Sequence, residues 1–171
     1  MEIIVTPTKD AQRGMLTWGR KSVPCALGRT GIRVTKKEGD GATPTGTFPL
    51  RRLFFRPDRR ARPATSLPAT AITSALGWCD DPQSPLYNRL VRLPYPLSHE
   101  TLAREDHLYD LMVVLGHNDA PPIPGAGSAI FLHLAKDGYA PTEGCVALAP
   151  DDMVDLLAVV GQSDVLTIRR K

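Results

Sequence analysis

With 171 residues, 42% of them apolar and 23% charged, the chain is long enough to bury one core without staples. Its composition is too even for a disordered or coiled-coil polymer. A net charge of +3 with no aromatic-interleaved basic stripe leaves no footprint for nucleic acid, and no apolar run reaches membrane-spanning length.

Sixteen prolines and fourteen glycines favour short strands joined by turns over long helices. Ile3–Val5 reads as a first strand, stopped by Pro7. The acid at Glu2 and the early proline do not make a secretory leader, which points to the cytoplasm as one possible compartment. Met15–Trp18 and Ser22–Leu27 read as a hairpin turning at Gly19-Arg20, and Gly31–Thr35 alternates like a half-buried strand. Lys36 to Thr45 is a run of small and turn-forming residues that leads into a strand over Thr47–Phe55. No Gly-Lys-Ser/Thr follows its glycines, so it is not a phosphate loop.

From 56 to 107 the pattern loosens into a Pro/Arg-rich insertion. Its prolines forbid a long helix or a central strand, and Trp78, Tyr87 and Tyr95 give it aromatic anchors, as in an ordered cleft wall. Ser98–Ala103 suggests a short helix capped by Ser98. Tyr109–Gly116 is the most apolar run, a central strand ending in His117-Asn118-Asp119, and Ser128–His133 is the next strand. Asp151–Val160 carries one apolar stripe (Met153, Leu156, Leu157, Val160) between Pro150 and Gly161 and predicts a helix. Asp164–Ile168 closes the chain as a strand. The sum is a single mainly β domain over 1–171, a sandwich or partly closed barrel with one or two short helices.

Three cysteines do not make a disulfide framework. Cys25 reads as a buried hydrophobe, Cys79 has no evident role, and nothing in the sequence supports a Cys25–Cys79 bridge. Cys145 lies twelve residues after His133, across a loop bearing Gly138, Pro141 and Gly144. Taken singly, a strand-end histidine and a cysteine before Val146-Ala147-Leu148 read as structural. Taken together they suggest a nucleophile and its base, with the imidazolium favouring a thiolate and Gly144 freeing backbone amides for an oxyanion. A zinc reading of His117, Asp119, His133 and Cys145 competes, without a paired ligand motif to support it.

The segment His133…Thr142-Glu143-Gly144-Cys145-Val146 resembles the signature of the YkuD family of L,D-transpeptidases, a strand-end His followed by Ser/Thr-x-Gly-Cys and an apolar residue. Thr43-Pro44-Thr45-Gly46-Thr47-Phe48 is similar to the Thr-Pro-x-Gly-x-Phe segment that the family carries upstream. The resemblance spans roughly residues 22 to 168. It implies a YkuD β-sandwich and a cysteine acyltransferase, without metal or cofactor, acting on peptidoglycan stem peptides in the cell envelope. Cys145 would be the nucleophile, His133 its base, and Gly144 with Cys145 the oxyanion donors. Thr142, Glu143, His117 and Asn118 would contact substrate, the last two lining the donor pocket. The departures from the family pattern are a shorter His–Cys loop, Leu134 after the His, Glu143 where many members have His or Lys, and Ala147 where most have Arg. Arg29, Arg33, Lys37 and Arg89 are the candidates to replace that Arg. A 3-3 or a 1-3 cross-link, an L,D-carboxypeptidase trimming muropeptides, and a non-catalytic wall-binding domain all fit the same residues. The oligomeric state is not legible.

Overall fold

The computed structural model describes residues 1–170. Its strands are β1 (Glu2–Pro7), β2 (Arg13–Trp18), β3 (Lys21–Ala26), β4 (Ile32–Arg33), β5 (Thr43–Pro44), β6 (Gly46–Phe55), β7 (Ala69–Ala71), β8 (Leu76–Cys79), β9 (Leu90–Arg92), β10 (His99–Thr101), β11 (Leu111–Leu115), β12 (Phe131–Leu134), β13 (Val146–Leu148) and β14 (Val165–Ile168). One α-helix, α1 (Pro150–Leu157), and a 3-10 turn over Asp137–Tyr139 complete the set.

The main sheet runs β11-β12-β13-β3-β2-β1-β14-β6, and β6 pairs back onto β11. That closure makes an eight-strand mixed barrel, with β7 added at the outside of β6. Closing the sheet leaves few free edges. Parallel pairs β1–β14 and β12–β13 bring both ends of the chain and the His133–Cys145 region into one sheet.

Alternation along β11 explains why the sequence is apolar at every position. Leu111, Val113 and Leu115 face the main core, while Met112 and Val114 face a second apolar cluster with Phe54, Trp78, Tyr109 and Phe131. β12 repeats the pattern. Leu132 and Leu134 enter the main core, which leaves Phe131 and His133 on the opposite face. The stripe of α1 (Met153, Leu156, Leu157) closes the main core from one side, and Pro150 opens the helix. It ends three residues short of the predicted Val160, which packs into the core from the following turn.

Two expectations change. Ser98–Ala103 is not helical: His99–Thr101 is strand β10, paired with β8 in a three-stranded sheet β10-β8-β9. The half-buried strand expected over Gly31–Thr35 shrinks to the two residues of β4, paired with β5. Cys25, Cys79 and Cys145 are all free thiols. No helix among the described residues is long and apolar enough to cross a membrane.

Candidate active site

Cys145 and His133 line one cavity of about 380 Å3, walled by Lys36, Glu38, Asp80, Glu100, Arg104, Tyr109, Ser128 and the 140–143 loop. The parallel β12–β13 ladder puts them there. His133 is in register with Ala147, and Cys145 precedes the first residue of β13. Both side chains are buried.

The imidazole is held in one orientation. Nδ1 lies 2.8 Å from the Leu134 carbonyl, an acceptor, so Nδ1 carries the proton and Nε2 keeps its lone pair. Tyr109 packs edge-on against the ring at 5.5 Å between centroids. Its hydroxyl donates to Glu100 at 2.5 Å, and the Arg104 guanidinium lies 5.1 Å from its ring centroid. Leu134, a departure from the family pattern, therefore still supplies the orienting carbonyl, because that contact uses only backbone.

The thiol donates to the Ala129 carbonyl at 3.2 Å and accepts from the Phe131 N–H at 3.3 Å. Ala129 is held with φ at +53°, an unusual conformation for alanine, and its N–H donates to the Asn88 side chain at 3.1 Å. Burial pushes the thiol up to about 12, the Glu100 carboxylate adding to the shift, and burial pushes His133 down to about 4. The thiol and the imidazole, which line the same cavity, thus both rest neutral. This differs from the thiolate–imidazolium pair expected from proximity. Desolvation penalises both charged forms, and the thiol proton is bonded to Ala129 rather than to the ring.

Thr142 organises the loop that carries Cys145. Its Oγ1 donates to the Cys145 carbonyl at 2.7 Å and accepts from the Gly144 N–H at 3.1 Å. The Gly144 amide is therefore occupied, while the Cys145 amide donates to no protein group among the described residues. Gly144 has φ at +135°, and a Cβ there would stand 2.7 Å from the Ala42 carbonyl oxygen, so only glycine fits. The two distant motifs meet at this point. Thr142 exchanges backbone hydrogen bonds with Leu27 and Arg29 at 2.9 and 2.8 Å, and the Gly28 N–H donates to Thr43 Oγ1 at 2.8 Å. Glu143 is exposed and pairs with Arg29 at 2.9 Å.

His117 and Asn118 do not line this cavity. His117 packs on Phe48 and its Nε2 lies 3.2 Å from the Ala126 carbonyl. Asn118 donates to the Ile123 and Gly127 carbonyls at 3.0 and 2.9 Å, stapling the 118–127 loop. Of the cations considered as replacements for the Arg, Arg29 pairs with Glu143, Arg33 and Lys37 are exposed, and Arg89 lines a different cavity. The cations that do line the Cys145 cavity are Lys36, Arg104 and Lys136. Ala147 packs with Ala26 and Ala135.

Asn88 escaped sequence reading. It is buried, accepts from Trp78 Nε1 at 3.0 Å and from Ala129 N–H, and donates to the His117 and Asn118 carbonyls at 3.0 and 2.8 Å. Its only sequence signal was an asparagine beside the aromatic anchors. No group of three or more His, Cys, Asp or Glu among the described residues is arranged to hold a metal ion, so His117, Asp119, His133 and Cys145 do not converge as the zinc reading required.

The family model for YkuD, the L,D-transpeptidase catalytic domain, matches residues 4–168. Among solved structures, Bd1075 of Bdellovibrio bacteriovorus is 15% identical over 98% of this chain and 47% of that one, with a TM-score of 0.46. Mycobacterium tuberculosis L,D-transpeptidase 1 is 14% identical over 99% of this chain and 62% of that one, with a TM-score of 0.41. The chain spans less than two thirds of either. A search of curated proteins gives no match.

Proposed function

Because the chain belongs to the YkuD family of L,D-transpeptidase catalytic domains, we propose that it is a cysteine acyltransferase acting on peptidoglycan stem peptides in the cell envelope. The observation that carries this reading is the His133 tautomer: the Leu134 carbonyl holds Nδ1–H, leaving Nε2 as a base in the cavity that holds the Cys145 thiol.

The thiol exchanges its bond to Ala129 for one to Nε2, and His133 takes the proton as sulfur attacks the carbonyl carbon of an L-residue. The Cys145 N–H, free of protein partners, receives the oxyanion, an effect worth ~3–4 kcal/mol per donor in hydrolases. The carbon–nitrogen bond to the following D-residue breaks, its amine leaving with the His133 proton, and a thioester to Sγ remains. An acceptor amine then attacks the thioester, loses a proton to His133, and the thiol is restored. Burial keeps both groups neutral at rest, so the reaction separates charge only as it proceeds.

Incubation with purified disaccharide-peptides and mass spectrometry tests the proposal. Cross-linked dimers that vanish in Cys145→Ala support it, and their fragmentation distinguishes 3-3 from 1-3 links. Monomers shortened by one residue would mean that water is the acceptor and the enzyme a carboxypeptidase. Intact substrate throughout would leave only a wall-binding role.

A further inference from the structure

We infer that Glu38, Asp80 and Glu100 form a subsite for a primary ammonium group on the acyl-donor peptide, in the wall of the Cys145 cavity. The inference rests on reading that cavity as a peptide acyl-transfer site. The three carboxylates come from separate places in the chain, namely the loop before β5, the residue after β8, and β10, and all line the cavity.

Lys36, Arg104 and Lys136 line the same cavity, but Lys36 is paired with Asp40, Arg104 with Asp106, and Lys136 is exposed; Glu143 is paired with Arg29. Glu38, Asp80 and Glu100 have no ion-pair partner among the described residues; Glu38 accepts from Tyr87 and Glu100 from Tyr109. Burial raises the Glu100 pKa, and Asp80 and Glu38 push it the same way, with the Tyr109 hydrogen bond and Arg104 offsetting part of the effect. Like charges gathered at one wall are costly unless a cation arrives.

A second observation points to a ligand. Ser128, in the same wall, is 7% exposed, and its hydroxyl makes no well-formed hydrogen bond, although the Tyr87 hydroxyl lies close to it. The Asp80 Oδ1 atom is likewise buried and unpartnered. Buried polar atoms left without a partner are destabilising. An ammonium, with three donors spread outward, suits acceptors that do not converge as metal ligands do. Carboxylates around it hold the amine protonated, so this group is a handle for recognition and not the attacking amine.

The test uses two tetrapeptides ending in L-lysyl-D-alanine, one with a free side-chain amine and one Nε-acetylated. Calorimetric titration of folded Cys145→Ala protein should show the free amine binding at least ~10-fold tighter, and Asp80→Asn with Glu100→Gln should remove that preference. Equal affinity for the twins, a preference unchanged in the carboxamide variant, or no binding of either peptide would overturn the inference. Acylation of the wild-type protein separates the two readings. Equal kcat/KM for both peptides would sink the subsite and keep the reaction. A preference in binding without any acylation would sink the reaction and keep the subsite.

Discussion

Burial drives Cys145 and His133 apart on the pH scale, to about 12 and about 4. The base is therefore already deprotonated well below neutrality. The acid limb of kcat/KM for acylation is expected near pH 4, with a flat profile through pH 8; a limb near 6.5 would mean that the imidazole is solvated. The same shift makes a stability prediction. The folded pKa of His133 lies below its unfolded value of 6.5, so the unfolded chain binds the extra proton between the two. The stabilisation is fully present above pH 6.5 and is lost as pH falls toward 4, a loss of ~3 kcal/mol that His133→Gln should reduce in denaturant titrations at pH 4.5 and pH 7.5. Thr142→Val removes both hydrogen bonds that shape the nucleophile loop and should cost ~1–3 kcal/mol and lower kcat, while Thr142→Ser keeps both. The thiol, the imidazole and the loop between them were legible in the sequence as residue types at a spacing. The neutral resting state was not, because it depends on burial in the folded cavity and on charges distant in the chain, such as Glu100 acting on Cys145 and Arg104 on His133.

At the scale of elements, the insertion contributes Asp80, Glu100 and Arg104 to the cavity wall, and one asparagine ties the insertion to the barrel. Asn88 takes four hydrogen bonds that span β8, the His117–Asn118 turn and Ala129, whose carbonyl holds the thiol. Asn88→Leu leaves two buried and two part-buried groups unpaired and should destabilise the protein by ~3 kcal/mol or more in urea unfolding, with acylation falling as well. A change within ~0.5 kcal/mol would show that water replaces the amide. Trp78 packs edge-to-face on Phe131 at 5.3 Å, and Trp78→Ala should cost ~3–5 kcal/mol by the same measurement. The barrel strands were readable from alternation and apolar runs. β10 was misread as a helix because Ser98 has the form of an N-cap and its three residues gain their ladder only from β8, a tertiary pairing that local propensity does not encode.

Across the whole molecule, barrel closure makes two motifs a hundred residues apart into one site. β6 begins within the Thr43–Phe48 segment and pairs with both β14 and β11, while Thr43 meets Gly28, and Gly28 bridges to Thr142 in the loop that carries Cys145. The order of the motifs was visible in the chain; their contact follows from topology. This arrangement predicts that site and fold fail together: Gly144→Ala, which drives a Cβ into the Ala42 carbonyl, should lose both acylation and thermal stability. The central claim is the Cys145 thioester. Intact-protein mass spectrometry after brief incubation with a stem tetrapeptide measures it directly. The account predicts an adduct with the mass of the peptide less its terminal D-residue, mapped to Cys145 and absent from Cys145→Ala. No adduct under conditions of turnover, or one that persists in Cys145→Ala, would contradict it.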